Sequence, residues 1–139
     1  MTNENDILSL SIFRNQNTGG AHPNFACDYH NYDLLTGNQI KLNEIFTPNY
    51  AATLNKAGEK IFKKNIDRNN DGIWDFGKGG FHLNSNFAIT PGGLLFLFNQ
   101  YEIGPYAAGS PEIFIPYKEI ENIILPGGAI SRFISNAKP

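Results

Sequence analysis

A run of five consecutive apolar residues at positions 94–98, LLFLF, restricts the fold of this chain more than any other feature. A sheet with one wet face alternates apolar and polar side chains, whereas this run would bury both of its faces. The preceding TPGG at 90–93 combines a proline that presets φ with glycines that accept positive φ, which is typical of a type II turn closing a β-hairpin. The sequence therefore predicts a central strand at 94–98, paired with a strand that buries Phe87 and Ile89.

Residues 7–15 also have the pattern of a strand, because apolar side chains alternate with serines. The inward face of this half-buried strand would carry Leu8, Leu10 and Ile12. Its place near the start of the chain suits the edge of a sheet. Additional strands are predicted at 25–34, 39–42 and 112–115.

A long helix is predicted after Thr47-Pro48, which has the form of an N-cap followed by proline at the first helical position. Apolar residues then recur every three or four positions through about Ile66. The resulting apolar stripe contains Tyr50, Leu54, Ala57, Ile61 and Phe62. A second, short helix is predicted at 116–125 and would turn Ile120, Ile123 and Ile124 inward.

These elements together predict one α+β domain, in which a mainly antiparallel sheet packs against one long and one short helix. At 139 residues the chain has the length of a single domain. We expect the domain to cover residues 1–139, with its core at about 7–125 and a loosely docked tail at 126–139 whose anchors are Ile130, Phe133 and Ile134.

Composition narrows the classes of partner. The net charge of −2 and the absence of a Lys/Arg cluster argue against nucleic-acid binding. No apolar run approaches the ~20 residues of a transmembrane helix, and the polar start of the sequence is not a signal peptide. Cys27 has no second cysteine with which to form an intrachain disulfide, and we expect it to be a small buried residue on a strand.

The segment 67–75 has the oxygen spacing of the first part of a calcium-binding loop. Gly72 would supply the sharp turn, but Lys78 occupies the position where a complete motif has a bidentate glutamate. The candidate calcium ligands are Asp67, Asn69, Asp71, Ile73 through its carbonyl group, and Asp75. The alternative interpretation is an ordinary solvated turn rich in Asp, Asn and Gly.

The loop at 101–109 is too rich in aromatic residues for plain solvent-facing coil. Its tyrosines could pack over the end of the sheet, or they could form a contact surface of the kind that is enriched in tyrosine at interfaces. The candidate binding residues are Tyr101, Glu102, Tyr106 and Trp74.

An enzymatic alternative would place His22, Asp28 and His30 around a metal or use them in acid/base chemistry. These residues lack a diagnostic ligand spacing, and the sequence contains no nucleophile elbow or phosphate-binding glycine loop. An enzyme is therefore less favoured than a binding domain, and we carry no catalytic residue forward.

Four segments together resemble one protein family: GGAHP at 19–23, NYDLLTG at 31–37, LNEIF at 42–46 and the block 93–117, which contains GLLFLFNQYEIGPYAAG. The chain resembles, from about Leu8 to Leu125, the C-terminal domain of RsiV-type anti-sigma factors. Similar domains of unknown function are attached to some peptidoglycan deacetylases and occur in many bacterial envelope proteins.

The resemblance implies an α+β domain located outside the cytoplasm, behind a signal peptide or membrane anchor that this sequence does not contain. RsiV-type domains bind lysozyme directly, so the expected function is non-enzymatic recognition of lysozyme or of a cell-wall glycan. The alternative is an accessory domain of a cell-wall-modifying enzyme such as a peptidoglycan deacetylase. Relatives often carry a further domain ahead of this one, so we also expect an upstream segment, without which the pairing of residues 7–15 is uncertain.

Overall fold

The fold of residues 1–135, as described by a computed structural model, consists of two three-stranded antiparallel sheets and several helices. The first sheet contains β1 (Asn3–Glu4), β2 (Ile7–Gln16) and β3 (Asn24–Asp33), in that order. The second sheet contains β4 (Phe87–Thr90), β5 (Gly93–Leu97) and β6 (Glu112–Pro116), in that order. The α-helices are α1 (Leu42–Ile45), α2 (Ala51–Asn65) and α3 (Ser131–Ser135). This arrangement confirms the predicted α+β class with one long helix.

The second sheet has the apolar run at its centre, as predicted. β5 pairs with β4 on one side and with β6 on the other, so that Phe96 lies opposite both Phe87 and Ile113. Leu94, Phe96 and Phe98 are almost completely buried. Burial of this apolar surface is the main source of stability for a domain of this size.

The hairpin between β4 and β5 is present, but its turn is not of type II, because Gly92 does not have the positive φ which that type requires. The hydroxyl group of Thr90 closes the turn by donating to the Gly93 carbonyl at 2.7 Å and accepting from the Gly93 N–H at 3.2 Å. Gly93 itself is required for another reason, since a Cβ atom there would overlap the carbonyl oxygen of Ile115.

The face assignment predicted for β2 is wrong. Ile7 and Ser9 are fully buried, whereas Leu10 and Ile12 are 40% and 51% exposed. Ser9 occupies the inner face because its hydroxyl oxygen lies 2.7 Å from Oδ1 of Asn31 and 2.9 Å from the carbonyl oxygen of Ile89. A buried hydroxyl group with good partners costs little, so a serine can take a position that hydrophobic patterning assigns to leucine.

Two asparagine side chains join the sheets. Asn31 on β3 accepts the Ile89 N–H and donates to the Phe87 carbonyl, both at 2.8 Å, on the free edge of β4. Asn86, which directly precedes β4, crosses in the opposite direction to β3. It accepts the Tyr29 N–H at 2.8 Å and donates to the Cys27 carbonyl group at 2.9 Å. We call these two side chains the carboxamide bridges. Each acts as a substitute peptide group for the strand that it contacts.

The segment between the sheets also departs from prediction. The expected strand at 39–42 is reduced to a single bridge between Gln39 and Tyr32, and helix α1 follows it. Thr47 does not cap α2, because its hydroxyl group donates to the carbonyl group of Ile123 instead. Helix α2 begins only at Ala51, after a turn in which Asn49 has a φ of 66°.

The region after β6 is tightly packed although it is not one helix. The predicted short helix at 116–125 consists of two 3₁₀ turns, Tyr117–Glu119 and Glu121–Ile123, which still direct Ile120 and Ile123 inward. Ile130 and Phe133 lie in the same core, which therefore extends beyond the expected limit at residue 125. Residues 136–139 of the expected tail lie outside the described part of the chain.

Helix α3 is also held by an ion pair. Arg132 binds both carboxylate oxygens of Asp33, at 2.7 Å and 3.2 Å, where β3 ends. Hydrogen bonding from this guanidinium group is the main reason why the pKa of Asp33 lies below its ordinary value. No helix within residues 1–135 is both long and apolar enough to cross a membrane.

We predict that Asn31→Ala destabilises the protein by about 3 kcal/mol, because it leaves the Ile89 N–H and the Phe87 carbonyl buried without partners. Urea denaturation would measure the loss as a lower midpoint with an unchanged slope. The exposed Asn24 at the start of the same strand provides the matched control, and Asn24→Ala should change stability by less than about 0.5 kcal/mol. A similarly small effect at Asn31 would show that this bridge does not hold the sheets together.

Candidate functional site

Three aromatic rings from distant parts of the chain lie together on the surface. The imidazole ring of His22 stacks on the ring of Tyr106, with 3.7 Å between centroids and 22° between planes. The ring of Tyr101 lies 5.7 Å from that of Tyr106. We call these three residues the aromatic triad. His22 and Tyr101 are exposed, so the triad presents ring surface to the solvent.

The two loops that carry the triad come from different sheets. His22 belongs to the loop between β2 and β3, where Gly19 turns the chain with a φ of 84°. Tyr106 opens a 3₁₀ turn, Tyr106–Ala108, that follows Pro105 and ends at Gly109, which has a φ of 74°. The His22–Tyr106 contact therefore joins the end of the first sheet to the loop between β5 and β6.

Tyr101 has an unusual backbone conformation, with a φ of 65°. For a bulky residue other than glycine, this left-handed region costs about 1 kcal/mol or more. The Glu102 side chain stabilises the turn, because one carboxylate oxygen accepts the Asn99 N–H and the other accepts from Nδ2 of Asn84, both at 2.8 Å. The turn holds the Tyr101 ring outward, and 57% of the residue is exposed.

Of the four candidate binding residues suggested by the sequence, two lie on the surface as a pair of rings and two are engaged in contacts within the protein. Tyr101 and Tyr106 lie together on the surface, whereas both carboxylate oxygens of Glu102 are bound within the protein. Trp74 packs inward, with its ring edge-on to Phe62 at 5.5 Å and against the backbone of Gly104. Sequence reasoning missed the contribution of His22, because no local pattern links it to a tyrosine more than eighty residues away.

A second apolar surface lies near the hairpin end of the first sheet. Phe13 stacks on Phe25 with a centroid separation of 5.8 Å, and 64% of Phe13 is exposed. Both rings line a recess of about 220 Å³ whose other wall includes Leu97 and Asn99. Ser9, Ser11 and Phe13 lie at alternate positions of β2. This spacing could have indicated that Phe13 lies on the same face of the strand as the two serines.

The candidate calcium ligands form an irregular loop after α2. Oδ1 of Asp71 accepts the Ile73 N–H at 3.5 Å and Oδ1 of Asp75 accepts the Gly77 N–H at 2.7 Å, both in local turns. Asn69 is exposed. Oδ1 of Asp67 is buried and has no hydrogen-bond partner within residues 1–135. In the same range no three His, Cys, Asp or Glu side chains are grouped so that they could hold a metal ion.

This acidic loop lies beside the loop that carries Tyr101. The Asp75 N–H donates to the carbonyl group of Ile103 at 2.8 Å, and Trp74 contacts Gly104 in the same turn. Asp71 and Asp75 are exposed on this loop, and together with Asp67 they outnumber its two cations, Arg68 and Lys78, so the loop is negative overall.

The residues of the enzymatic alternative are not brought together in the described structure. His22 is part of the triad, Asp28 forms an ion pair with Arg14 at 2.6 Å, and Nδ1 of His30 lies 3.2 Å from Nε2 of Gln39. Cys27 is half-buried on β3, and burial raises the pKa of its thiol, so the thiolate is less populated than in a free cysteine.

Comparison with known proteins gives one family and several similar solved structures. The model of the family "Protein of unknown function (DUF3298)" matches residues 43–118. A DUF3298 member from Bacteroides fragilis superposes with a TM-score of 0.80 at 29% identity, covering 94% of this chain and 53% of that protein. A DUF3298 protein from Pseudomonas aeruginosa gives 0.69 at 23% identity, covering 87% of this chain and 56% of that protein, and shows the fold alone.

The chain therefore spans about half the length of these two solved structures. A search of curated proteins finds no match.

The positive φ of Tyr101 leads to a prediction about stability. Tyr101→Gly should be more stable than Tyr101→Ala by about 1 kcal/mol, because glycine adopts this conformation without strain. The same pair of substitutions at Tyr32, which lies in β3 with ordinary strand geometry, should reverse the order. Thermal or urea denaturation of the four variants measures both differences. If alanine were the more stable replacement at both positions, residue 101 would not be strained.

Proposed function

Because this chain belongs to the DUF3298 family of proteins of unknown function, we propose that it is a non-enzymatic binding domain of the bacterial envelope. Its ligand in this proposal is lysozyme or a cell-wall glycan, and its location is outside the cytoplasm. The observation that carries the proposal is the exposed aromatic triad, which is held in place at the cost of a strained residue. Strain of this kind is concentrated at functional sites, where the surrounding structure enforces it.

The chemistry of the triad suits both proposed ligands. Exposed tyrosine rings are enriched at protein interfaces, because they offer a large rigid area together with a polar hydroxyl group. The same ring faces can stack on the apolar face of a sugar. The ring of Tyr106 is covered by His22 on one side, so Tyr101 offers the freer surface to a ligand.

Charge near the triad favours a basic protein such as lysozyme over a neutral glycan. Asp71 and Asp75 are exposed on the loop that the Asp75–Ile103 hydrogen bond fixes beside Tyr101. Carboxylates placed at the rim of an interface mainly accelerate association with a basic partner and lose this effect in salt. The net charge of −2 acts in the same direction, although weakly.

We predict that the purified domain binds lysozyme or soluble peptidoglycan fragments saturably, and that Tyr101→Ala combined with Tyr106→Ala weakens binding at least about tenfold. Loss of two interface tyrosines commonly costs more than ~1.4 kcal/mol, which is a factor of ten. Calorimetric titration measures the affinity, with Tyr32→Ala as the control for an aromatic residue outside the triad.

The outcome also separates the candidate functions. Binding of lysozyme alone fits a sensor of the RsiV type, whereas binding of glycan fragments alone fits an accessory domain of a cell-wall-modifying enzyme. The absence of saturable binding to both would remove both ligands, and equal affinity of the double variant would remove the triad as the site.

A second proposal is that the loop at 67–75 binds calcium, with the ligands Asp67, Asn69, Asp71, Asp75 and the carbonyl group of Ile73. The observation that favours it is the buried Oδ1 of Asp67, which has no hydrogen-bond partner among the described residues. A buried carboxylate oxygen without a partner is costly, and a hard cation would compensate it. The local turns use only Oδ1 of Asp71 and of Asp75, but the carboxylates are not grouped around one point in the described residues, so the ion would require the loop to change its conformation.

Calcium should therefore raise the midpoint of thermal unfolding, by several degrees at about 100 times the dissociation constant. Asp71→Ala should abolish the increase, whereas Glu121→Ala, an exposed carboxylate in another part of the chain, should retain it. Scanning calorimetry with calcium or with chelator measures the shift. A wild-type midpoint that does not respond to calcium would exclude the proposal.

A further inference from the structure

The edge of β3 that faces away from β2 is covered almost entirely by side-chain amides and by one short loop. Asn99 accepts the Cys27 N–H at 2.8 Å, and Gln100 accepts the Phe25 N–H at 3.3 Å. The Asn86 bridge covers the next groups along the strand. Further on, the Ile40 N–H donates to the Asn31 carbonyl at 2.7 Å, and the Asp33 N–H donates to the carbonyl group of Asn38 at 2.9 Å.

Two backbone groups between these contacts remain uncovered. In an antiparallel ladder, alternate residues direct both their N–H and their C=O to the same side. The contacts of Tyr29 and Asn31 show that both residues face away from β2. Within residues 1–135, however, neither the carbonyl oxygen of Tyr29 nor the N–H of Asn31 is hydrogen-bonded. One acceptor and one donor, two residues apart, thus stand next to each other on an edge whose other outward N–H groups, those of Phe25, Cys27, Tyr29 and Asp33, are all hydrogen-bonded.

A cavity of about 420 Å³ is lined by the two residues of this pair, Tyr29 and Asn31. Ile40 and Ser85 line it as well. Ile40 donates to the Asn31 carbonyl group, and Ser85 directly precedes the Asn86 bridge. Its remaining walls include the half-buried ring of Tyr50 and the exposed residues Lys41 and Asn43. The volume is within the range of ordinary ligand sites, which combine apolar walls with a few convergent polar groups.

The protein itself shows twice which chemical group fits such a pair. The Asn31 bridge contacts the carbonyl of Phe87 and the N–H of Ile89, and the Asn86 bridge contacts the carbonyl of Cys27 and the N–H of Tyr29. In both cases a single primary carboxamide spans the C=O of one residue and the N–H of the residue two positions later. The carbonyl of Tyr29 and the N–H of Asn31 are a third pair with the same spacing on the same kind of edge.

We propose that this cavity binds the primary carboxamide of an asparagine or glutamine side chain presented by a peptide. The NH₂ group donates to the Tyr29 carbonyl, and the carboxamide oxygen accepts the Asn31 N–H. Three related groups fail for stated reasons. A carboxylate has no proton to donate to Tyr29, and a thioether offers neither a strong donor nor a strong acceptor. A trans secondary amide directs its N–H and C=O to opposite sides and cannot reach both groups.

The test uses the whole ¹⁵N-labelled chain and the probe N-acetyl-glutamine N-methylamide. We expect a saturable change in the Asn31 backbone amide resonance, with the largest neighbouring changes at residues 29–31. The glutamate and methionine analogues of the probe share its backbone and length, and they should bind at least about tenfold more weakly because each loses a hydrogen bond to the edge. Equal affinity for the three probes, or changes confined to other parts of the protein, would overturn the proposal.

A pair of protein variants separates this cavity from nonspecific association. Ser85→Tyr fills the cavity from an exposed position whose side chain makes no hydrogen bond in the described structure, so the fold should be retained. It should abolish the response to the glutamine probe. Ser110→Tyr, an equally exposed serine outside the cavity, should leave the response unchanged. Retained binding in Ser85→Tyr with an unchanged midpoint of unfolding would overturn the proposal as well. None of these outcomes depends on whether the aromatic triad binds lysozyme or glycan.

Discussion

The two sheets of this domain are held together by side chains that act as peptide groups. The edges of β3 and β4 face each other without a backbone ladder between them, and the Asn31 and Asn86 carboxamides span the space. A carboxamide has one strong acceptor and two donors, so it can satisfy both a C=O and an N–H on the strand it meets. The hydrogen bonds of Asn31 are buried and those of Asn86 are part-buried, so the Asn31 bonds would be the more expensive to break.

The position of the aromatic triad follows from this joint. His22 is carried by the first sheet, and Tyr101 and Tyr106 by a loop of the second, so their contact requires a fixed relation between the sheets. Asn99 and Gln100, the residues just before Tyr101, continue the same series of contacts along β3. The bridges therefore set the register of one sheet against the other, and with it the spacing of the rings.

Hydrophobic pattern predicted the parts of the fold in which burial alone decides. The five-residue apolar run of the second sheet could only be a central strand, and the stripe of α2 through Leu54 and Phe62 could only face the core. Pattern failed where a polar group is buried with partners, as with Ser9, or where a cap has a more distant partner, as with Thr47. For the candidate site, composition suggested Tyr101 and Tyr106, but contacts between residues far apart in sequence decided the inward position of Trp74 and the addition of His22.

A joint made of side chains differs from a joint made of strands in one physical respect. A continuous ladder would cover every outward group of β3, whereas each carboxamide covers only one C=O and one N–H. Where the spacing of the available side chains does not match the spacing of the strand, a donor and an acceptor remain uncovered between them, as at Tyr29 and Asn31. The uncovered pair is thus a geometric consequence of how the sheets are joined. This pair should prefer a primary carboxamide, because the Asn31 and Asn86 carboxamides already satisfy the same two kinds of group, a backbone C=O and the N–H two residues later.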